Sequence, residues 1–309
     1  MIEIDNVTKR FNGWSAVSEL TLTLAAGELT VLIGTSGSGK STTLKMLNRL
    51  LEPDSGSIRL GGEDIRRQSP EALRRRIGYA IQSVGLFPHW TVEQNIAAVP
   101  SLLKWPPARI RARVAELLAL LQLPDDFRSR YPHELSGGQQ QRVGVARALA
   151  ADPEVLLMDE PFGALDPVTR GSLQQELARI QALSGKTIVL VTHDIDEALL
   201  LGQRIVLMDQ GRIVQQGRAH DFLLQPANDF VREFVGQSDV GVRLLGLETV
   251  AGHVHPYARV EGEPIRRDST LREALSVFVT RRVDRLPVVD EQGRPAGTLH
   301  FADLLGTPT

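Results

Sequence analysis

A glycine-rich loop between a strand-like run and a helix-like run constrains the fold of this 309-residue chain most strongly. The loop, GTSGSGKST at 34–42, follows LTVLIG and precedes KSTTLKMLNRL. It fits Gly-x-x-x-x-Gly-Lys-Ser, in which glycines let backbone N–H groups surround phosphate oxygens at a helix N-terminus. A plain turn of glycine and serine is the alternative, but the flanking strand and helix favour a phosphate-binding loop.

Further apolar runs predict other strands of the same sheet. IGYAIQ, VLLMDE and TIVLVTH begin at residues 77, 155 and 187. They lack the polar alternation of a half-exposed strand, as expected where helices cover both faces of a sheet. Helix-like stretches separate them, such as ARIRARVAELLALLQL at 108–123, whose apolar residues share one face. The sequence therefore predicts an α/β fold.

Polar side chains stand where three of these runs end. They are Gln82, Asp159, Glu160 and His193. Because carboxyl ends of parallel strands meet at the edge of the sheet where ligands bind, we expect these side chains near the glycine-rich loop. Gln82 is expected to hold Mg²⁺ or the attacking water, and His193 to bond the terminal phosphate. Each alone also fits an ordinary strand-end residue, and their shared position favours a site.

The loop and the acidic pair together predict phosphoryl transfer. Lys40 is expected to reach the β- and γ-phosphates, and Ser41 to bind Mg²⁺ together with Asp159. Glu160 is expected to act as the general base on water, since adjacent strand residues point to opposite sides. Two acids at a strand end that merely face solvent are the alternative for this segment taken alone.

A second glycine-rich loop, LSGGQQQR, occupies residues 135–142. Ser136 is a suitable N-cap for the helix predicted to follow, and Gly137 and Gly138 would let backbone approach an anion. The loop has no lysine and no Mg²⁺ ligand. It is therefore expected to bind a phosphate group poorly by itself.

Composition excludes several other classes of protein. The formal net charge is −2, which disfavours a dedicated nucleic-acid binder. The chain has no cysteine, so disulfide and thiol chemistry are excluded. The N-terminal segment MIEIDNVTKRF lacks a signal-peptide core, and no apolar run approaches the roughly 18 residues of a membrane helix. A membrane role is therefore expected to come through a partner.

Taken in order, the motifs resemble those of ATP-binding cassette (ABC) ATPases. The matching features are Phe11, GTSGSGKS, Gln82, LSGGQQQR, VLLMDEP, GALD at 163–166 and His193. The resemblance implies a P-loop ATPase domain with a mixed sheet and a helical signature subdomain, working as a homodimer with ATP and Mg²⁺. It implies ATP contacts from Phe11, Gly34, Thr35, Ser36, Gly37, Ser38, Gly39, Lys40, Ser41 and Thr42. From the other copy it implies contacts by Ser136, Gly137, Gly138, Gln139 and Asp166.

The resemblance to ABC ATPases covers residues 1–236. Residues 237–263 are predicted to be a linker, and 264–309 are similar to one cystathionine-β-synthase (CBS) motif. CBS modules that bind adenosyl ligands usually carry serine or threonine three positions before the terminal aspartate, where this chain has His300 before Asp303. Ligand binding and simple packing both stay open for this small α+β tail.

The segment QSVGLFPHWTVEQNI at 82–96 resembles the importer form of the family. There it implies docking of membrane permease subunits near Gln82–Ile96. IAAVPSLLKW and LNRLLEPDSG resemble the branch that takes up osmoprotectants such as glycine betaine, choline and related quaternary amines. That branch implies a periplasmic or lipoprotein solute-binding protein and a peripheral position at the cytoplasmic face of the inner membrane.

Three other functions stay open at the level of the sequence. One is a soluble ABC ATPase that acts on nucleic acid or ribosomes, although such proteins generally carry two cassettes or a long coiled-coil insertion. Another is a nucleotide-dependent regulatory switch, suggested by the tail. The third is an importer ATPase for a different small solute. The near-neutral charge argues against nucleic acid as a partner.

Overall fold

The computed structural model describes residues 1–81, 85–163, 165–256 and 260–305. The chain forms two compact units, Met1–Arg218 and Ala219–Thr309. The division between them lies before residue 236, where the sequence suggested the end of the ATPase domain. In the first unit the strands are β1 (Ile2–Phe11), β2 (Trp14–Leu24), β3 (Leu29–Gly34), β4 (Ser55–Leu60), β5 (Glu63–Asp64), β6 (Ile77–Ala80), β7 (Val155–Asp159), β8 (Thr187–Val191), β9 (Arg204–Asp209) and β10 (Arg212–Gly217).

The central sheet of the first unit has the order β10-β9-β3-β8-β7-β6 among the described residues. Strands β9, β3, β8, β7 and β6 run parallel, and β10 is antiparallel to β9. Every residue of β3, β7 and β8 is buried. The prediction of an α/β fold from apolar runs without alternation is therefore confirmed.

A second, antiparallel sheet has the order β2-β1-β4-β5. Its apolar side chains, including Val7, Val17 and Ile58, join those of β3, β7 and β8 in one core cluster. The register between β1 and β2 shifts at several positions, so the alternation of side chains along β1 is interrupted. Phe11 and Trp14 pair at the hairpin end of these two strands.

The helices of the first unit are α1 (Lys40–Leu47), α2 (Pro70–Arg76), α3 (Val92–Leu102), α4 (Pro107–Leu120), α5 (Gly137–Leu149), α6 (Pro167–Ser184) and α7 (Ile195–Leu201). Helices α3, α4 and α5 pack on one another. The helix expected at 108–123 is α4, and Val114, Leu117 and Leu118 on its predicted apolar face are buried. Ser69 and Asp166 cap α2 and α6, each before a proline, as the sequence predicts.

The second unit contains α8 (Ala219–Leu224), α9 (Asp229–Val235), α10 (Val240–Leu247), β11 (Ile265–Arg266), α11 (Leu271–Arg281), β12 (Arg285–Val289) and β13 (Pro295–His300). The strands form the sheet β11-β12-β13. Helix α11 begins at a capping box made by Thr270 and Glu273. Phe278, Leu286 and Leu299 are fully or almost fully buried in the core of this unit. The expected helix and the two expected strands are thus present.

Part of the segment expected to be a linker, 237–263, belongs to the folded second unit. It contains α10, which packs against α8 and α11. It also supplies Val250, which is fully buried in the core of the second unit. Because α10 is only eight residues long and contains Gly241 and Gly246, which disfavour a helix, the sequence pattern does not identify it. Among the described residues, none of the helices has the length and apolar character that spanning a membrane requires.

Candidate active site

The glycine-rich loop joins β3 to α1 in a conformation that only glycine permits at its first residue. Gly34 has a φ of +146°, and an added Cβ would lie 2.0 Å from the carbonyl oxygen of Met208. Lys40 is buried, and its Nζ donates hydrogen bonds to the carbonyls of Gly34 (2.8 Å) and Thr35 (2.7 Å) and to Ser38 Oγ (3.1 Å). Burial lowers the pKa of Lys40, while the nearby acidic pair acts in the opposite direction. The ammonium group therefore lies against the inner wall of the loop.

The start of α1 is open to an anion. Gly39, its N-cap residue, has a φ of +100°, and no side chain of the described residues caps the helix. The N–H groups of the first helical turn therefore carry the positive end of the helix dipole without a capping acceptor. Thr35, Ser36 and Gly37 are exposed on the loop, whereas Ser38 is buried. Thr42 lies half-buried in the first turn of α1.

Ser41 and Asp159 lie together beside the loop. The Ser41 hydroxyl donates a hydrogen bond of 2.8 Å to Asp159 Oδ1. Asp159 is the last residue of β7, and its burial raises the pKa of the carboxyl group. A hydroxyl and a carboxylate are the hard oxygen ligands that Mg²⁺ prefers, and the pair fits that ion. Gln82, the third residue expected here, lies outside the described residues.

Glu160 leaves the strand in the left-handed region, with a φ of +46°. Strand alternation was expected to separate the two acids, and this reason is wrong because β7 ends at Asp159. It is the turn at Glu160 that separates the carboxylates. His193 follows β8, the neighbour of β7, and its Nδ1 lies 3.3 Å from Glu160 Oε1. The structure thus brings together two residues that are distant in sequence.

A small cavity lies behind Glu160 and His193. Its volume is about 40 Å³. Its walls are formed by Glu160, Gly163, Arg170, Thr192, His193, Asp194 and Glu197. A cavity of roughly 10–15 Å³ is enough to hold one water molecule, so water fits beside Glu160 and His193. Arg170, Thr192 and Glu197 were not identified from the sequence, because no local pattern marks a helix residue that faces a strand end.

The aromatic residue expected to contact a nucleotide base is accessible. Phe11 is 41% exposed at the end of β1, and Lys9 Nζ lies 5.5 Å from the centre of its ring. Its strand partner Trp14 is 57% exposed. The sequence reasoning did not select Trp14, although a tryptophan three positions after Phe11 in a hairpin is a visible signal. Two exposed rings therefore stand at this end of the antiparallel sheet.

The second glycine-rich loop forms the start of α5. The Ser136 hydroxyl accepts from the Gln139 N–H (3.3 Å), and Gln139 Oε1 accepts from the Ser136 N–H (2.9 Å), which makes a capping box. An added Cβ at Gly137 would meet open space. At Gly138 it would lie 2.6 Å from Cγ2 of Thr169 in the same chain. Gly138 is therefore required by packing on α6, a reason that the sequence did not reveal.

Asp166 begins α6 as its N-cap residue. Its Oδ1 accepts from the N–H groups of Val168 (3.1 Å) and Thr169 (3.0 Å). Hydrogen bonds from the hydroxyl and then the backbone N–H of Thr169 lower the pKa of Asp166. Within its own chain this carboxylate therefore stabilises a helix end that lies next to the second glycine-rich loop.

Asp303 of the second unit is engaged by neighbouring residues. The His300 N–H donates to its Oδ2 (2.8 Å), and His255 Nε2 lies 3.1 Å from both carboxylate oxygens. The imidazole rings of His255 and His300 are 4.6 Å apart. These contacts support the packing role of the tail more than an open ligand site.

Comparisons with known proteins agree with this geometry. The family model for the ABC transporter matches residues 17–163, and the CBS domain model matches 263–307. The glycine betaine uptake system ATP-binding protein YehX of Escherichia coli is 64% identical over 99% of both chains. The glycine betaine/carnitine/choline transport ATP-binding protein OpuCA of Bacillus subtilis is 50% identical over 94% of this chain and 76% of its own.

Solved structures of ATP-binding cassettes share the fold. A dimeric cassette in a post-hydrolysis state, bound to ADP and Pi, is 33% identical, with a TM-score of 0.65. The match covers 71% of this chain and 99% of that one. With the phosphate loop, the acidic pair, the second glycine-rich loop and these relatives in view, the chain belongs to the ATP-binding subunits of ABC transporters.

Proposed function

We propose that this protein hydrolyses ATP and thereby drives import of an osmoprotectant through a separate membrane permease. The hydrolytic part of the proposal rests on two acidic side chains that lie beside the same phosphate loop but have different partners. Asp159 bonds Ser41, whereas Glu160 faces His193 across 3.3 Å. One acid is thereby suited to a metal and the other to water.

The residues divide the work of hydrolysis among binding, orientation and proton transfer. Lys40 and the first turn of α1 bind the β- and γ-phosphates. Ser41 and Asp159 would hold Mg²⁺, with Gln82 as a further ligand. That ion, when bound, offsets negative charge on the β- and γ-phosphate oxygens. Glu160 accepts a proton from the attacking water. The water oxygen bonds to the γ-phosphorus while the bond from that phosphorus to ADP breaks.

His193 supports Glu160 and the γ-phosphate from the other side of this water site. Its imidazole lies 3.3 Å from the carboxylate and is exposed on the side where a phosphate oxygen would bind. Phe11, with Trp14 beside it, is suited to stack on adenine.

Replacement of Glu160 by glutamine tests the proposal. Glu160→Gln keeps the size of the side chain and removes the base, so we expect ATP binding to persist and hydrolysis to fall by about 10²–10⁴-fold. Glu154→Gln, just before the other end of β7, is the matched control, since Glu154 pairs with Arg76 at the surface. Near-normal turnover in Glu160→Gln, measured as phosphate release, would refute the assignment.

Two copies are proposed to form each complete ATP site. Ser136, Gly137, Gly138, Gln139 and Asp166 of one copy would close over the ATP held on the loop of the other. The open space at Gly137 and the uncapped start of α1 support this arrangement. Mixing Lys40→Ala chains with Ser136→Asp chains should restore one intact site in each heterodimer. An absence of activity in the mixture and of ATP-dependent dimers in Glu160→Gln would refute it.

The permease is proposed to dock beside α3, within the range Gln82–Ile96 suggested by the sequence. Phe87 and Trp90 are 47% and 40% exposed, and their rings lie 4.5 Å apart. The fully buried Asn95 fixes them: its Oδ1 accepts from the Phe87 N–H (2.8 Å), and its Nδ2 donates to the Phe87, Trp90 and Thr91 carbonyls. A cavity of about 180 Å³ between β6, α3 and α5 adds a concave surface.

These features define a rigid, partly apolar docking surface. Such a position would place the protein at the cytoplasmic face of the plasma membrane, as a peripheral subunit. Co-purification with a membrane subunit, and its loss in a Phe87→Ala, Trp90→Ala variant, tests this proposal.

The solute is proposed to be glycine betaine, choline or a related quaternary amine. This step is supported by the relatives that carry such transport in their names, at 64% and 50% identity. The complete transporter would include a solute-binding protein outside the membrane. Stimulation of ATPase activity in the assembled transporter by betaines, and not by sugars or amino acids, is the expected result. Equal stimulation by unrelated solutes would refute the proposed substrate class.

A further inference from the structure

A buried carboxylate lies directly behind His193 and has no role in the scheme above. Glu197, in the first turn of α7, is only 6% exposed. Its Oε2 accepts a hydrogen bond of 2.6 Å from the Thr192 hydroxyl. Its Oε1 accepts one of 3.3 Å from Nε2 of Gln174, which comes from α6. Burial raises the pKa of Glu197, while the bond from Thr192 acts against that rise. A buried acid is costly unless such partners satisfy it.

The Thr192 hydroxyl connects this carboxylate to both sides of His193. It donates to Glu197 and accepts from the backbone N–H of Asp194, at 3.1 Å. The N–H of Thr192 donates to the carbonyl of Leu32 in β3, at 3.1 Å. Thr192, the residue before His193, is therefore bonded to the central sheet. Thr192 and Asp194, on either side of His193, are both linked to Glu197 through the Thr192 hydroxyl.

The side chain of His193 has little packing of its own. It is 64% exposed, so its direction follows from the backbone that carries it. Asp194 accepts from the N–H groups of Asp196 (2.8 Å) and Glu197 (3.3 Å), which anchors the turn to α7. Arg170 Nη1 lies 3.8 Å from Asp194 and adds a link to α6. Loss of the Glu197 carboxylate would remove the bond to Thr192 and leave the turn with fewer anchors.

We propose that Glu197 is a positioning residue for hydrolysis, which acts through Thr192 to hold His193 opposite Glu160. The inference rests on the proposed function, in which Glu160 and His193 act on water and the γ-phosphate. Displacement of a reacting group by about 1 Å can cost about 10²-fold in rate. The effect is therefore expected in kcat, while ATP affinity, which depends on Lys40 and Ser41, stays unchanged.

Two substitutions separate hydrogen bonding from packing at this position. Glu197→Met keeps a side chain of similar length but cannot accept from Thr192. Glu197→Gln keeps an acceptor for Thr192, and Gln174 can reverse its amide to accept from the new NH₂ group. Glu176→Met is the matched control, because Glu176 is a buried acid of α6 that bonds Gln122 and Arg179, away from His193.

The experiment measures kcat, ATP affinity and thermal stability of the full chain, in the wild type and in a His193→Ala background. We expect Glu197→Met to lower kcat about 10–100-fold with ATP affinity within about twofold of wild type, and Glu197→Gln to restore most of the rate. In the His193→Ala background the same change should cost less than about threefold, since coupled residues are not additive. The control should lose stability without loss of kcat.

Other outcomes distinguish a failure of the role of Glu197 from a failure of the proposed role of His193. Equal losses from Glu197→Met in both backgrounds, or an unchanged kcat in the wild-type background, overturn the role of Glu197 alone. Normal turnover in His193→Ala by itself overturns the proposed role of His193. If Glu197→Met does not fold, Thr192→Val removes the same hydrogen bonds from the other end and must show the same dependence on His193.

Discussion

Ser136 combines two roles that substitution can separate. In the chain it is the N-cap of α5, through its hydroxyl and the capping box with Gln139. In the proposed dimer the same hydroxyl faces the γ-phosphate of ATP held by the other copy. Aspartate is as good an N-cap as serine and suits the positive end of a helix dipole. Ser136→Asp therefore keeps the first role and removes the second, whereas Ser136→Ala weakens both.

The expected magnitudes follow from these roles. Loss of a serine N-cap costs about 1 kcal/mol, which lowers Tm by about 2–4 °C in a unit of this size. Ser136→Asp should leave Tm within about 1 °C of wild type, since its cap is preserved. Two like unit charges about 4 Å apart repel by about 4 kcal/mol at an effective dielectric constant of 20. We therefore expect ATP-dependent dimerisation and kcat of Ser136→Asp to fall by at least about 100-fold.

Light scattering with ATP in a Glu160→Gln background, scanning calorimetry and steady-state phosphate release provide the assay. Ser69 is the matched control, because it caps α2 by the same bond to the backbone, at 3.2 Å from the Ala72 N–H. Ser69→Ala should lose similar stability, and Ser69→Asp should lose no activity. If Ser136→Asp dimerises and turns over normally, the second loop does not face phosphate and the composite site is wrong. If Ser136→Asp is as unstable as Ser136→Ala, the capping argument is wrong.

Three further predictions concern a buried charge, a packing contact and a docking surface. Asp159→Asn should abolish hydrolysis yet raise the Tm of the nucleotide-free protein at pH 7. Burial raises the pKa of Asp159, so its ionised form opposes folding above that pKa. In a pH series of melts, the gain in Tm should therefore vanish below pH 3.8. Gly138→Ala should destabilise the protein by about 1–3 kcal/mol through contact of the new methyl group with Thr169. In denaturant titrations, adding Thr169→Ser should recover part of the lost stability, and an undiminished loss in the double variant would contradict the contact. Asn95→Ala should leave the ATPase activity of the isolated subunit within about threefold of wild type but weaken permease binding in co-purification. The reason is that the loop carrying Phe87 and Trp90 loses its buried hydrogen bonds. Unchanged binding would contradict the docking surface.

The sequence predicted the parts of the site that depend on local pattern. Four apolar runs identified β3, β6, β7 and β8, because strands covered on both faces need no polar alternation. The phosphate loop and the caps at Ser69 and Asp166 depend on residue types at fixed short spacing, which a sequence displays directly. The fold class and the family resemblance followed from these features.

Other features depend on contacts that no local pattern records. The need for glycine at position 138 arises from Thr169, a residue of another helix. The bond between Thr192 and Glu197 spans a turn whose shape is set by its links to β3 and α6. Helix α10 was assigned to a linker because it is short and contains two glycines, and its place is set by packing against α8 and α11.

The acidic pair shows how one change in backbone conformation gives adjacent residues of the same chemistry two different environments. Asp159 ends a parallel strand, so it is buried against Ser41 and its charge costs free energy. Glu160 takes a left-handed conformation, which costs roughly 1–2 kcal/mol for a residue other than glycine. An extended Glu160 would continue β7, whereas the left-handed turn directs its carboxylate to His193 and the small cavity. Glycine would relieve that strain but would carry no carboxylate, so the proposed hydrolysis requires the strained conformation of Glu160 for the position that it gives the carboxylate.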